Sequence, residues 1–255
     1  MTTAPHPWRD ALVAVLALFL PVACLGCGAS DRALCRSCRA TLDGRPHRVR
    51  LVGGVRLDAA FEYEGLVRTL LLELKLRGRV DVAGPLGRRT AALVRRALAE
   101  APPGTLVLRV PPSPRGRRRR GFDPVVLLLA RGGVRGTGQL HRARVPGRRL
   151  LGGSRHGGGV HCGSRHCGSR HGDSLHAVGL RGGGLRAGAG QKQRTALERV
   201  AATVGTLRAV RVEGRTVVLV DDVVTTGVTM AEAVRAVRAA GGRVVRCVAT
   251  ASVEA

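Results

Sequence analysis

Two clusters of residues in this 255-residue chain have types and spacings that could do chemistry. The first is Arg215-Thr-Val-Val-Leu-Val-Asp-Asp-Val-Val-Thr-Thr-Gly-Val-Thr-Met230. The apolar run Val217 to Val220 reads as a buried strand, and two carboxylates, Asp221 and Asp222, follow at once. A small-residue turn comes next, and Met230, Val234 and Val237 then recur at helical spacing until Gly241-Gly242 ends the run. A helix N-terminus presents unpaired N–H groups and the positive end of its dipole, so it suits a phosphate. Thr225, Thr226 and Thr229 can add hydroxyl donors, and Gly227 lets the backbone approach closely. Asp221 and Asp222 are poor partners for phosphate but suit ribose hydroxyls, or a Mg²⁺ bridging ribose and pyrophosphate. The segment has the makings of a site for a phosphorylated sugar.

The second cluster is Cys24-x-x-Cys27 followed by Cys35-x-x-Cys38. Each C-x-x-C turn can aim two thiolates at one ion, and two turns complete a tetrahedral S₄ zinc site. So short a segment has little core of its own, and the metal would supply its folding free energy. Two disulfides, or iron–sulfur ligation, are the rival readings. Four thiolates leave no open coordination position, so the site would be structural. Cys247, inside the apolar run Arg243 to Val253, reads as a buried thiol.

The elements that must position these clusters come from the pattern around them. Helices are expected at Leu66–Leu76, Leu86–Glu100 and Val125–Ala130, with a strand at Thr105–Val110 and a rigid Pro-Pro-Ser-Pro turn after it. Lys75, Arg77 and Arg79 emerge at a turn marked by Gly78. The stretch Arg115–Arg120 is either a solvated basic loop or a set of guanidinium forks for pyrophosphate or a nucleic-acid backbone.

The formal charge is +26, and all but two of the 43 basic residues are arginine, Lys75 and Lys192 being the exceptions. Such a charge attracts polyanions: nucleic acid, phosphorylated substrates or acidic membrane. Aromatics are too few for a base-stacking platform. Residues 11–23 form an apolar run ending at Cys24, which admits a lipoprotein signal reading. Trp8, Leu12, Val15, Leu16 and Phe19 share one helical face, so an amphipathic helix packed on the body is the preferred reading. The run is short for a stable membrane span, and a cytoplasmic protein is expected. Residues 132–190 are rich in Gly, Arg and His, with His156, His161, His166, His171 and His176 at a period of five. That period fits neither helix nor strand. With Cys162 and Cys167 it could hold metal weakly, but an expanded, disordered coding repeat is the simpler reading.

The run from Asp221 to Thr229 closely resembles the phosphoribosyl pyrophosphate (PRPP) signature of type I phosphoribosyltransferases. The resemblance implies that Asp221 and Asp222 hold the ribose 2′- and 3′-hydroxyls. It also implies that Thr225, Thr226, Gly227, Val228 and Thr229, with Val223 and Val224 leading into them, hold the 5′-phosphate. Across residues 8–131 and 191–253 the chain resembles the ComF family. The carriers are the cysteine pairs, Tyr63-Glu-Gly, Leu74-Lys75, the proline-rich turn, Arg120-Gly-Phe122 and the PRPP loop. That resemblance makes Lys75 and Arg77 candidates for the pyrophosphate region and places Arg119 and Arg120 beside it. It implies a link to natural competence and DNA uptake, with single-stranded DNA and a helicase as partners. Asp123 stands where that pattern has asparagine, Arg109-Val-Pro-Pro replaces valine-proline-valine-proline, and Thr203 replaces an asparagine.

The fold expected is α/β: a type I phosphoribosyltransferase-like, mostly parallel sheet flanked by helices, with a small N-terminal four-cysteine zinc module. The expected divisions are a helix and zinc module at 8–48, the first part of the domain at 55–131, the insert at 132–190, and the second part at 191–255. Zinc would be structural, and Mg²⁺ would accompany PRPP. The reaction implied is displacement of pyrophosphate from ribose C1 by a nitrogen nucleophile. The rival is a DNA-binding factor that keeps the PRPP site as a sensor or relic. No side chain stands out as a general base.

Overall fold

The structure is a computed structural model that describes residues 22–30, 32–143 and 203–253. Its centre is the strand expected from the apolar run. A strand buried on both faces needs apolar residues at every position, not at every second one. Val217 and Leu219 enter one core cluster while Val218 and Val220 enter another, so successive side chains fill opposite faces.

The elements are α1 (Arg36–Asp43), β1 (Arg48–Val52), β2 (Val55–Glu62), α2 (Gly65–Arg77), a 3₁₀ turn (Val80–Val82), α3 (Ala83–Ala99), β3 (Leu106–Arg109), α4 (Pro114–Arg120), α5 (Pro124–Arg131), β4 (Gly138–Gln139), β5 (His141–Arg142), β6 (Leu207–Arg208), β7 (Thr216–Val224), α6 (Val228–Ala239) and β8 (Arg243–Ser252). A six-stranded sheet has the order β1-β2-β8-β7-β3-β4. Only the β1–β2 hairpin is antiparallel; β2, β8, β7, β3 and β4 run parallel. β5 and β6 form a separate antiparallel ribbon. The mostly parallel α/β fold expected from the sequence is therefore present.

Helices cover both faces. Met230, Val234 and Val237 of α6 pack with Leu57, Leu219, Cys247 and Ala249. Ala91 and Val94 of α3, with Val125 and Leu129 of α5, pack with Val218, Val220 and Val248. Burial pushes the Cys247 thiol up to about 12, as suits an inert sulfur in a central strand.

Four elements differ from expectation. β7 runs on through the acidic pair to Val224, because Asp221, Val223 and Val224 keep their register with Ala249, Ala251 and Ser252. The basic stretch Arg115–Arg120 is helix, not loop. Ser113 caps it by accepting from the Gly116 N–H, Pro114 supplies the first-turn φ, and Gly121 closes it in the left-handed conformation. The 132–190 stretch opens with ordered β4 and β5, anchored by the fully buried Leu140. β1 occupies the gap between the two expected N-terminal divisions. The helix expected near Trp8–Phe19, the histidine repeat and the segment around Gln191 lie outside the described residues. Among the described residues no helix is long and apolar enough to cross a membrane.

The helical layer over α3 and α5 depends on a close backbone approach. A Cβ at Gly87 would stand 2.1 Å from the Leu128 carbonyl oxygen, so α3 can meet α5 there only as glycine. We predict that Gly87→Ala lowers stability by about 1–3 kcal/mol, the usual cost of overpacking. A shifted urea midpoint at unchanged slope would show it; an unshifted midpoint would mean the helices part freely.

Candidate functional site

Asp221, Asp222, Thr225–Thr229, Lys75 and Arg120 converge at the C-terminal ends of the parallel strands, where ligands bind in open α/β sheets. Thr225, Thr226 and Gly227 bridge β7 and α6, with Gly227 at φ +80° as the N-cap. That left-handed conformation favours glycine. Ala231 N–H donates to the Gly227 carbonyl at 2.8 Å, which leaves the earlier N–H groups of the first turn free for a ligand. Val223 to Met230, with Asp221, line a shallow cradle of about 30 Å³.

A second cavity of about 300 Å³ adjoins it, sharing Asp221 and Thr229. Lys75, Arg120, Asp123, Arg142 and Asp222 also line it. Lys75 comes from the last turn of α2, and its Nζ donates to Asp222 Oδ1 at 2.8 Å. The pair is largely shielded, at 22% and 16% side-chain exposure, so the attraction is stronger than at an open surface. Asp221 has no ion pair of its own among the described residues. Its Oδ1 accepts from the Asp222 N–H at 2.8 Å. Burial, and then the Asp222 charge, hold its carboxyl well above the usual aspartate range.

Arg77 and Arg119 stand outside this cavity. Arg77 pairs with Glu73 at 2.9 Å and is 73% exposed. Two residues beyond Lys75 is about 200° around a helix, so the two side chains cannot share a face. Arg119 is exposed on α4, while Arg120, about 100° further round, turns inward. Arg120 lies over Gly116, where a Cβ would stand 2.9 Å from its Nη2, and its buried Nε has no partner among the described residues.

Sequence reasoning missed Arg142. It lies on β5, opposite Leu207 of β6, and its Nη2 donates to the Pro111 carbonyl at 3.3 Å. Buried Glu232 of α6 accepts from the Leu207 N–H at 3.1 Å and so ties the ribbon to the body. No local pattern announces a two-residue strand, and nothing in the sequence placed Arg142 here.

The two departures noted at 109 and 123 meet each other. Arg109 Nε donates to Asp123 Oδ2 at 2.9 Å, with 16% and 14% exposure. Asp123 Oδ1 accepts from the Val125 N–H and caps α5. An asparagine could cap the helix but could not neutralise Arg109. The remaining Arg109 donors reach Thr137, Gly138 and Gln139, fastening β4 to β3.

The four cysteines also converge: their sulfurs all lie within 4.8 Å of one another. Cys27 and Cys35 Sγ are 3.6 Å apart, close to the roughly 3.8 Å separation that a tetrahedron of about 2.3 Å Zn–S bonds requires. Backbone N–H groups of Gly26 and Cys35 point at Cys24 Sγ, and that of Cys38 at Cys35 Sγ. The Ser37 hydroxyl and then the Cys38 N–H lower Cys35 to about 6, so a thiolate forms readily there. The donor set fits one metal ion. Gly26 sits so close that a Cβ would lie 2.7 Å from Cys38 Sγ.

Residues 187–255 match the family model of the phosphoribosyl transferase domain. This part of the chain is phosphoribosyltransferase-like. The match contains the acidic pair and the cradle, and the parallel sheet around them is the one that the type I resemblance implies. A comparison with curated proteins finds no match.

Two predictions follow from this geometry. Asp221 holds its proton to higher pH when folded than when unfolded. The folded state thus binds more protons above the ordinary aspartate range of about 4, and stability falls as pH rises from there through the raised value. Asp221→Asn abolishes that loss, so its melting temperature should exceed wild type by a margin that grows with pH; a margin that is flat in pH would refute the assignment. The second concerns Cys24, Leu34 and Leu42, which share a core cluster with Phe61, Leu70 and Leu71. Chelation should therefore lower the melting temperature of the whole domain, and Gly26→Ala should release metal to a weaker chelator than wild type does. A dye that reports released metal reads the latter.

Proposed function

We propose that the protein binds PRPP with Mg²⁺ and transfers its phosphoribosyl group to a nitrogen acceptor. The single observation that carries this reading is the junction of the two cavities at Asp221 and Thr229. It puts a phosphate cradle, a carboxylate pair and a cationic pocket in the order that 5′-phosphate, ribose and pyrophosphate follow along one ligand. On this reading the N–H groups and hydroxyls of Thr225 to Thr229 hold the 5′-phosphate. Asp221 and Asp222 accept from the ribose 2′- and 3′-hydroxyls. Lys75, Arg120 and Arg142 face the pyrophosphate.

In the reaction a C1–N bond forms as the C1–O bond to pyrophosphate breaks, and the acceptor nitrogen then loses its proton. The donors around the cavity hold the charge that builds on the leaving oxygens in a site where fixed dipoles need no reorganisation. Mg²⁺, when bound, would neutralise part of that charge. On this reading the four cysteines hold zinc in a structural role, the protein is cytoplasmic, and the ComF resemblance links it to competence and DNA uptake.

A second reading rests on a different observation. The exposed arginines of α4, Arg115, Arg117, Arg118 and Arg119, lie outside the cavity in a chain of charge +26. A polyanion backbone would suit them. In this reading single-stranded DNA and a helicase are the partners and PRPP is a sensed ligand.

Calorimetric titration tests the PRPP site, and pyrophosphate release in the presence of a nitrogen acceptor then separates transfer from sensing. Wild type is expected to bind PRPP with Mg²⁺, and Asp221→Asn/Asp222→Asn to bind it at least about tenfold more weakly, since hydrogen bonds to charged groups contribute about 1.5–3 kcal/mol each. No binding by folded wild type would sink the transferase reading. Salt-dependent DNA binding in its place would favour the second.

A further inference from the structure

The phosphate cradle has a back as well as a front, and Arg50 occupies the back. It lies on β1, the antiparallel edge strand, opposite Leu57 in the hairpin. Its Nη2 donates to the Thr225 carbonyl at 2.7 Å and reaches the Val224 carbonyl at 3.5 Å. Its Nη1 donates to the Val253 carbonyl at 3.4 Å. Its Nε is buried without a partner among the described residues. The side chain thus gives up hydration to reach carbonyls that belong to the loop after β7 and to the end of β8.

Arg50 does not line the cradle. It lines the two cavities behind it, one of about 510 Å³ with Thr226 and Gly227, the other of about 250 Å³ with Ser252 and Val253. Its influence on a ligand therefore passes through the backbone. A trans peptide is planar, with its C=O and the next N–H pointing in opposite directions. The Val224 carbonyl also accepts from the Val253 N–H at 3.0 Å, so the guanidinium's own hold is on the Thr225 carbonyl at 2.7 Å, and it turns the Thr226 N–H the other way, towards the cradle. Without that hold the Thr225–Thr226 peptide could present its carbonyl oxygen to a phosphate and repel it. The hairpin is pressed close enough to enforce this. A Cβ at Gly227 would lie 3.3 Å from Val52 Cγ1 and 3.5 Å from Arg50 Nη2.

We propose that Arg50 is a positioning residue for the cradle: it fixes the peptide orientations that make the Thr225–Thr229 loop a donor surface for a phosphomonoester. This rests on the phosphoribosyl reading of the site. The planar fork does the work, because three carbonyls from two segments must be met at once. Lysine offers a point charge on a flexible stem and cannot reproduce the fork.

The test uses the full chain, with ribose 5-phosphate as the probe of the cradle and Mg²⁺-pyrophosphate as the probe of the neighbouring cavity. Arg50→Met is expected to weaken ribose 5-phosphate by about tenfold while leaving Mg²⁺-pyrophosphate unchanged. Arg50→Lys should follow the methionine variant, and it is read in the same way if the methionine variant does not fold. Equal weakening of both probes would make Arg50 a general support of the fold and overturn the proposal. Wild-type affinity in Arg50→Met, or restored affinity in Arg50→Lys, would overturn it too. Failure of wild type itself to bind ribose 5-phosphate would remove the phosphoribosyl reading and this inference together.

Discussion

Two aspartates side by side at the end of a buried strand are the constraint around which the domain is organised. Like charges so close cannot both be desolvated without compensation. The fold separates them. Asp222 takes the Lys75 ammonium, which α2 carries in from another part of the chain, while Asp221 takes only a backbone N–H and retains its proton more tightly. The same arrangement fixes the distance between the helix that begins at the cysteine cluster and the strand that ends at the cradle. A sheet built for stability alone would place apolar residues here, as it does at Val217 to Val220. The polar pair is a local cost that the surrounding core must offset.

Much of this was legible because it is local. The apolar run of β7, the helical recurrence of Met230, Val234 and Val237, and the cysteine spacing are short-range patterns, and each stands where it was expected. The extent of β7 was harder. Asp221 and Asp222 look like a strand end, yet pairing with β8 carries the ladder past them. Helix α4 was hidden because arginine and glycine give no apolar period, although Ser113-Pro114 and Gly121 are helix start and stop signals. Arg77 and Arg119 lie apart from Lys75 and Arg120 because helix runs through both pairs and each residue turns the side chain by about 100°. Arg142, Arg50 and the Arg109–Asp123 pair could not be read at all, since each acquires its meaning from a contact across the fold.

The cysteine cluster is not an appendage. Arg89 of α3 lies over the Phe61 ring at 4.6 Å and donates to the carbonyls of Leu42, Asp43 and Arg45 around the end of α1. One guanidinium therefore closes the last turn of the module's helix and stacks on the core of the domain. α2 completes the connection: its first turn brings Leu66 to the cysteine knuckle, and its last carries Lys75 to the aspartates. The cysteine cluster and the acidic pair share a rigid rod about 20 Å long.

The β5–β6 ribbon has a different significance. The chain leaves the described body at Ala143 and re-enters it at Thr203, and these points are stitched together, with Ala143 N–H donating to the Thr206 carbonyl at 2.8 Å. Exit and entry are thus neighbours on one antiparallel ribbon. The Ser-Arg-His repeats at 154–156, 164–166 and 169–171 fall in that interval. The ribbon therefore acts as a clasp: it holds the two sides of the described body together at the point where the chain departs and returns.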